Sequence, residues 1–206
     1  MCGLRQVSTL ESSLRGVTPF GSGRARCTDM KSTDLLMQEH KLILRALDVL
    51  DAMADLIERT GKAEQSDVDK VLNFLRWFAD AQHQAKEEAI LFPALKRAAA
   101  SQDRPVEHMS MEHEQERAFV EDLETDLRLA KLSEFVSRAK RLSSILRNHI
   151  YKEDRILFEI ADALLSTAED DAVFEGLSHF DTALDKHELD ERLKELHSLE
   201  WKYLRR

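Results

Sequence analysis

The sequence predicts an all-α protein, an antiparallel up-down-up-down four-helix bundle with extensions at both ends, and three observations lead there. Only six Gly and three Pro occur among 206 residues, and Leu, Ala, Glu, Asp, Arg and Lys dominate, a composition rich in helix formers and poor in strand formers. Four long stretches carry apolar side chains every three or four positions, with short polar breaks between them. A ten-residue block also recurs: HQAKEEAILF from residue 83 and HIYKEDRILF from residue 149 share six identical positions and exchange Glu88 for Asp154 at a seventh. With 43% hydrophobic residues the chain can bury one good core, so a single domain with extensions is expected.

Residues 1–31 read as a flexible tail, carrying Arg5, Arg15, Arg24, Arg26 and Lys31 against only Glu11 and Asp29. An extension upstream of a natural start at Met30, or a transit peptide, are the alternatives. The bundle is expected over residues 32–167. Ser32, Thr33 or Asp34 can cap a first helix that Thr60 and Gly61 stop, with Leu36, His40, Ile43, Leu47, Leu50, Ala54 and Ile57 facing inward. Ser66 or Asp67 can cap a second, reaching roughly Ala100 through Leu72, Leu75, Ala79, His83, Glu87, Ile90 and Ala94, and Pro93 should kink it or shift its last turns. Pro105 opens a third, with Met109, His113, Glu116 or Arg117, Val120, Leu123 and Leu127 on one side. A fourth begins near Ser133 and shows Leu142, Leu146, His149, Glu153, Ile156, Ile160 and Leu164. Residues 168–206 form a helical extension, in one piece or broken near Gly176, that packs along the bundle or pairs with another chain as a homodimer.

A net charge of −9 argues against a nucleic-acid partner, because binding phosphates rests on clustered Lys and Arg. No apolar run is long enough to span a membrane, and no secretory signal opens the chain, so a cytoplasmic location is expected. The two cysteines, Cys2 and Cys27, both lie in the leading segment, which leaves nitrogen and oxygen as the donors for any metal in the core.

On a helix, residue i+4 returns to within about 40° of residue i, so His83 with Glu87 and His149 with Glu153 each face one way, into the apolar stripe. His40 and His113 lie inside the stripes of their own helices. The interior therefore receives one His from every helix and two Glu. Singly, an inward His reads as a hydrogen-bonded core residue and a Glu as a rim residue with its head in solvent. As a set they read as a metal centre, because burying two carboxylates close together costs several kcal/mol unless something pairs with them. Imidazole with carboxylate suits iron, manganese or zinc. Two bridging carboxylates and four His fill eight of about twelve positions around two octahedral ions, leaving the rest open to a small molecule. Ferritin-like bundles place Glu three residues ahead of His, an order absent from this chain.

His40, the block from His83 to Glu87 followed by ILFP, the Glu112–His113 pair, and His149 to Glu153 followed by ILF together resemble the hemerythrin-like, or HHE cation-binding, family. The resemblance covers roughly residues 32 to 165. It implies a four-helix bundle holding two iron ions as an oxo- or hydroxo-bridged non-haem di-iron centre, with His40, His83, His113 and His149 as ligands and Glu87 and Glu153 as bridges. Two departures from the oxygen carriers of the family stand out. Where they have a fifth His, this chain has Arg117, and where they use an Asp five residues after the fourth-helix His, this chain offers Asp154 beside Glu153. Residue i+5 points about 140° away from its start, so Glu153 is the better bridge. Arg117 either stabilises a bound peroxide anion as a catalytic residue, or pairs with a nearby acid such as Glu87 or Glu121.

The expected partner is thus a small diatomic or a peroxide: oxygen, peroxide or nitric oxide, bound or decomposed in oxidative or nitrosative stress or in oxygen sensing. An iron-sensing, iron-storing or iron-donating module without turnover is the alternative, and an interaction protein with an incidental metal a third. His108, His179, His187 and His197 read as solvated, and Tyr151 points away from the ligand face.

Overall fold

The computed structural model describes residues 30–99, 104–182 and 186–205. The expectations for the leading tail, Cys2 and Cys27 lie outside the described residues. Six helices and no strand occur among those described. Helix α1 spans Ser32–Thr60. Helix α2 runs from Gln65–Phe74 through π-helical Leu75–Gln84 and Glu87–Leu91 into Phe92–Ala98. Helix α3 spans Arg104–Arg128, and α4 runs from Leu132–Lys152 through π-helical Glu153–Leu157 into Phe158–Leu164. Helices α5 (Thr167–Thr182) and α6 (Lys186–Leu204) follow.

Lys31, not Ser32, Thr33 or Asp34, sits at the N-cap of α1: the Asp34 carboxylate accepts from the Lys31 backbone N–H at 2.8 Å. The Ser32 and Thr33 hydroxyls instead reach across the fold to Asp170 and Asp162. Gly61 ends α1 with φ of 65°, a left-handed turn that glycine adopts without steric cost. The C-terminal extension does not break at Gly176, which lies inside α5. A Cβ there would stand 3.0 Å from Ile90 Cγ2, so the glycine lets α5 lie close against α2.

Helices α1 to α4 pack in a ring, each on the next and α4 on α1. Their apolar side chains form two separate cores. One is built around Leu47, Leu50, Leu72, Phe78, Leu123, Leu142 and Leu146, and the other around Leu36, Leu91, Phe92, Met109, Leu157 and Phe158. Helices α1 and α3 run from the second core to the first, α2 and α4 from the first to the second. Between the cores every helix crosses one polar layer. The inward face of α6 (Leu189, Leu196, Leu199 and Tyr203) joins the first core, and Val173 and Leu177 of α5 join the second. No described helix is long and apolar enough to cross a membrane.

The expected stripes hold until the polar layer and then slip. Past Glu153 the buried residues are Leu157, Phe158 and Ala161, whereas Ile156 and Leu164 are exposed and Ile160 only half-buried. The cause is the wider π turn, in which the Phe158 N–H bonds the Glu153 carbonyl five residues back instead of four. The Phe92 N–H bonds the Glu87 carbonyl in the same way. Pro93 therefore does not by itself account for the change in α2, because α4 makes the same turn with Glu159 in the equivalent place.

Candidate metal centre

His40, His83, Glu87, His113, His149 and Glu153 meet in the polar layer, all buried. Every imidazole turns Nε2 inward. Glu153 lies between the two pairs of His, with Oε2 3.2 Å from His40 Nε2 and Oε1 3.2 Å from His149 Nε2. Glu87 Oε2 stands 3.6 Å from both His83 Nε2 and His113 Nε2. Donor atoms bound to one ion at about 2.1 Å and at right angles lie about 3 Å apart, close to these separations. Nε2 of His40 and His83 and all four carboxylate oxygens of Glu87 and Glu153 are buried without a hydrogen-bond partner. Orphaned acceptors in this number fit cations. Two groups could each hold one: His40, His83, Glu87 and Glu153, and His113, His149 and Glu153, with Glu153 common to both.

The outward nitrogens show a second order. His83 Nδ1 donates to Glu39 at 2.9 Å, His113 Nδ1 to Glu88 at 2.7 Å, His149 Nδ1 to Glu112 at 2.9 Å and His40 Nδ1 to Asp154 at 2.7 Å. Each helix thus supplies the carboxylate that orients the imidazole of the next, and α4 closes the ring on α1. A carboxylate on Nδ1 keeps the proton there, leaving the Nε2 lone pair aimed at the centre. Asp154, weighed in the sequence as a weaker ligand, faces away from the centre and serves His40 instead. Glu39, Glu88 and Glu112 are not among the ligands the sequence points to, although Glu–His pairs recur at 39–40 and 112–113.

Two further repeats acquire a reason. Lys86 and Lys152, each three residues after a His, donate to Glu39 and Glu112 respectively. The Phe that ends each block stacks on an imidazole of the neighbouring helix: Phe158 on His40 and Phe92 on His113, both at 5.6 Å between centroids.

Electrostatics reflect the crowding. Burial, and then the Glu153 charge, push the Glu87 carboxyl well above the usual range. Burial works against Glu153 as well, but His149 and His40 outweigh it and hold this carboxyl low. Burial and the neighbouring His40 bring His83 down to about 4, while for His149 the surrounding carboxylates, Glu153 foremost, overcome burial and raise it to about 11. A divalent cation would relieve this spread by neutralising both carboxylates and accepting the lone pairs of neutral imidazoles.

Arg117 pairs with acids, though not with Glu87 or Glu121: its Nε donates to Asp80 at 2.6 Å and its Nη2 to Glu88 at 2.7 Å. It forms one wall of a cleft of about 80 Å³ between α2, α3 and α4, with Gln84 and Glu116 also in the lining. Those two are buried and hydrogen-bonded, Gln84 Nε2 to Glu116 at 2.6 Å, and Glu116 Oε1 lies 3.8 Å from His149 Nδ1. The cleft therefore ends beside the His113–His149 half of the layer. His108 and Tyr151 are exposed.

No curated protein matches the chain at a significant level. The sequence model of the hemerythrin HHE cation binding domain matches residues 31–161, which takes in the whole polar layer and both halves of the duplication. A match over well more than half of the 206 residues, on a helical bundle whose buried His and Glu could hold metal, shows that the chain belongs to the hemerythrin HHE cation-binding domain family.

Proposed function

We propose that this chain is a non-haem di-iron protein that binds or reacts with oxygen, peroxide or nitric oxide, its metal held in an antiparallel up-down-up-down bundle. One observation carries the reading: four inward Nε2 atoms and two carboxylates converge in a buried layer, with Glu153 common to both halves. A pair of ferrous ions there would supply electrons and open coordination positions to a small ligand. The chain does the rest. His40 and His83 would hold one ion and His113 and His149 the other, with Glu87 and Glu153 shared between them. The ring of Glu39, Glu88, Glu112 and Asp154 fixes the imidazoles, and the two apolar cores keep bulk water out. Arg117 lines the approach to the His113–His149 side, and would favour an anionic ligand such as peroxide on exchanging its contacts with Asp80 and Glu88 for that ligand.

The unequal halves favour a second reading as an iron-sensing, iron-storing or iron-donating module. In this reading Glu87 would stay with the His40–His83 ion and only Glu153 would be shared, so the His113–His149 ion would leave more readily. A homodimer through the C-terminal helix would form on Trp201 and Leu204, the large apolar side chains α6 leaves exposed.

The test is to load the purified chain with Fe(II) without air, count metal, and add oxygen, peroxide and nitric oxide in turn while recording spectra. Two irons per chain are expected, with iron lost in His83→Ala and Glu153→Ala. Fewer irons, or unchanged iron in those variants, overturns the di-iron reading. Peroxide turnover that disappears in Arg117→Ala supports the first function, and ready transfer of iron to an acceptor without turnover supports the second.

A further inference from the structure

The two halves of the centre differ in one respect that the duplication does not explain. Lys152 holds Glu112 near the surface, its side chain 21% exposed. Its counterpart Lys86 is 2% exposed and has two carboxylates, Glu39 on α1 and Asp181 on α5, the latter at 2.7 Å. Helix α5 follows residue 161, so Asp181 lies beyond the stretch matched by the family.

The geometry of docking brings it there. Gly176 lets α5 lie against Ile90, and Val173 and Leu177 pack into the second core. Asp170 fixes the other end of α5 by accepting from the Ser32 backbone N–H at 3.1 Å and from its hydroxyl at 2.5 Å. Five residues after Gly176, Asp181 then stands over Lys86, four residues before Ile90. A buried ammonium needs its charge and its several donors met, and Asp181 supplies a second carboxylate partner beside Glu39. Lys86 in turn occupies Oε1 of Glu39, whose Oε2 takes the His83 Nδ1–H. With both oxygens engaged the carboxylate cannot rotate, and the His83 ring keeps Nε2 on the centre.

We propose that Asp181 is a positioning residue of the metal centre: through Lys86 it locks the carboxylate that orients His83, so the C-terminal extension sets how firmly the His40–His83 side holds its metal. The inference rests on the di-iron reading above. The test loads full-length wild type, Asp181→Ala, Asp181→Asn, Asp181→Glu and Lys152→Met with Fe(II) without air, follows release to an excess of chelator, and records the melting temperature of each metal-free chain. Outer partners of metal-binding imidazoles change affinity by about 10–100-fold, and Asp181 acts one contact further out, so release of one of the two irons about tenfold faster is expected in Asp181→Ala and Asp181→Asn. Asp181→Glu restores it in part, and Lys152→Met speeds the other iron. Asp181→Asn keeps the shape of the side chain and so keeps the fold should Asp181→Ala lose it. Wild-type release in both variants overturns the proposal, as does equal acceleration of both irons in step with a lower melting temperature. If wild type itself fails to hold two irons, the di-iron reading fails instead.

Discussion

His83 and His149 differ from the other imidazoles of the chain in that each begins a block in which five of the seven repeated positions have a task at the centre. The His faces the centre, the Lys at +3 holds an orienting Glu, and the Glu at +4 stands between the halves. The carboxylate at +5 orients the imidazole of the next helix, and the Phe at +9 stacks on it. Glu88 shows the arrangement most fully, since His113 and Arg117 both donate to it and hold its carboxyl down at about 2, the His113 hydrogen bond most strongly and against burial. Replacing Glu88 by Ala frees the His113 ring and leaves Arg117 with Asp80 alone. Affinity for the metal, measured with Fe(II) by competition with a chelator, is expected to fall by about 10–100-fold, with the helical content unchanged.

At the scale of the element, the π turns decide which side chains face the core. An α-helix continued past Glu153 would bury Ile156 and Leu164; one extra residue per turn turns those outward and brings Leu157, Phe158 and Ala161 in. With that shift Phe158 stacks on His40. Urea unfolding tests the register directly. Leu157, 2% exposed, should cost about 3 kcal/mol when replaced by Ala, as buried leucines do. Ile156, 51% exposed, should change stability by about 0.5 kcal/mol or less under the same substitution. Equal losses at the two positions would refute the π register in α4.

The whole molecule is a bundle clasped by its own extension. Helix α6 lies along α1 and α2, where Arg45 makes a two-pronged contact with Glu200 at 2.6 and 2.8 Å. Asp67, at the start of α2, accepts from Lys202 at 2.5 Å and from the Tyr203 hydroxyl at 2.8 Å. Burial opposes the Asp67 charge, but Lys202 and Tyr203 outweigh it and hold the carboxyl below its ordinary value. A depressed carboxyl stabilises the fold fully above its unfolded pKa of about 4 and loses that contribution as pH falls through the folded value. Asp67→Asn should therefore cost about 1 kcal/mol at pH near 7, with the gap from wild type closing at acid pH below about 4 in denaturant unfolding. A gap that persists unchanged in acid would mean that the charge is not what Asp67 contributes.

The sequence alone determined the helices, the duplicated block and the inward His and Glu, because helical periodicity is local and a residue at i+4 returns to the same face wherever the helix lies. The match to residues 31–161 bears out the resemblance that those residues carry. Tertiary structure decided the rest. The orienting ring joins helices through contacts 25 to 114 residues apart, and no spacing along one helix reveals that Glu39 serves His83 or that Asp154 serves His40. The slip of one residue after each central Glu was hidden because π and α turns look alike in sequence. The place of Asp181 over Lys86 was equally hidden, since it follows from how closely Gly176 lets one helix approach another.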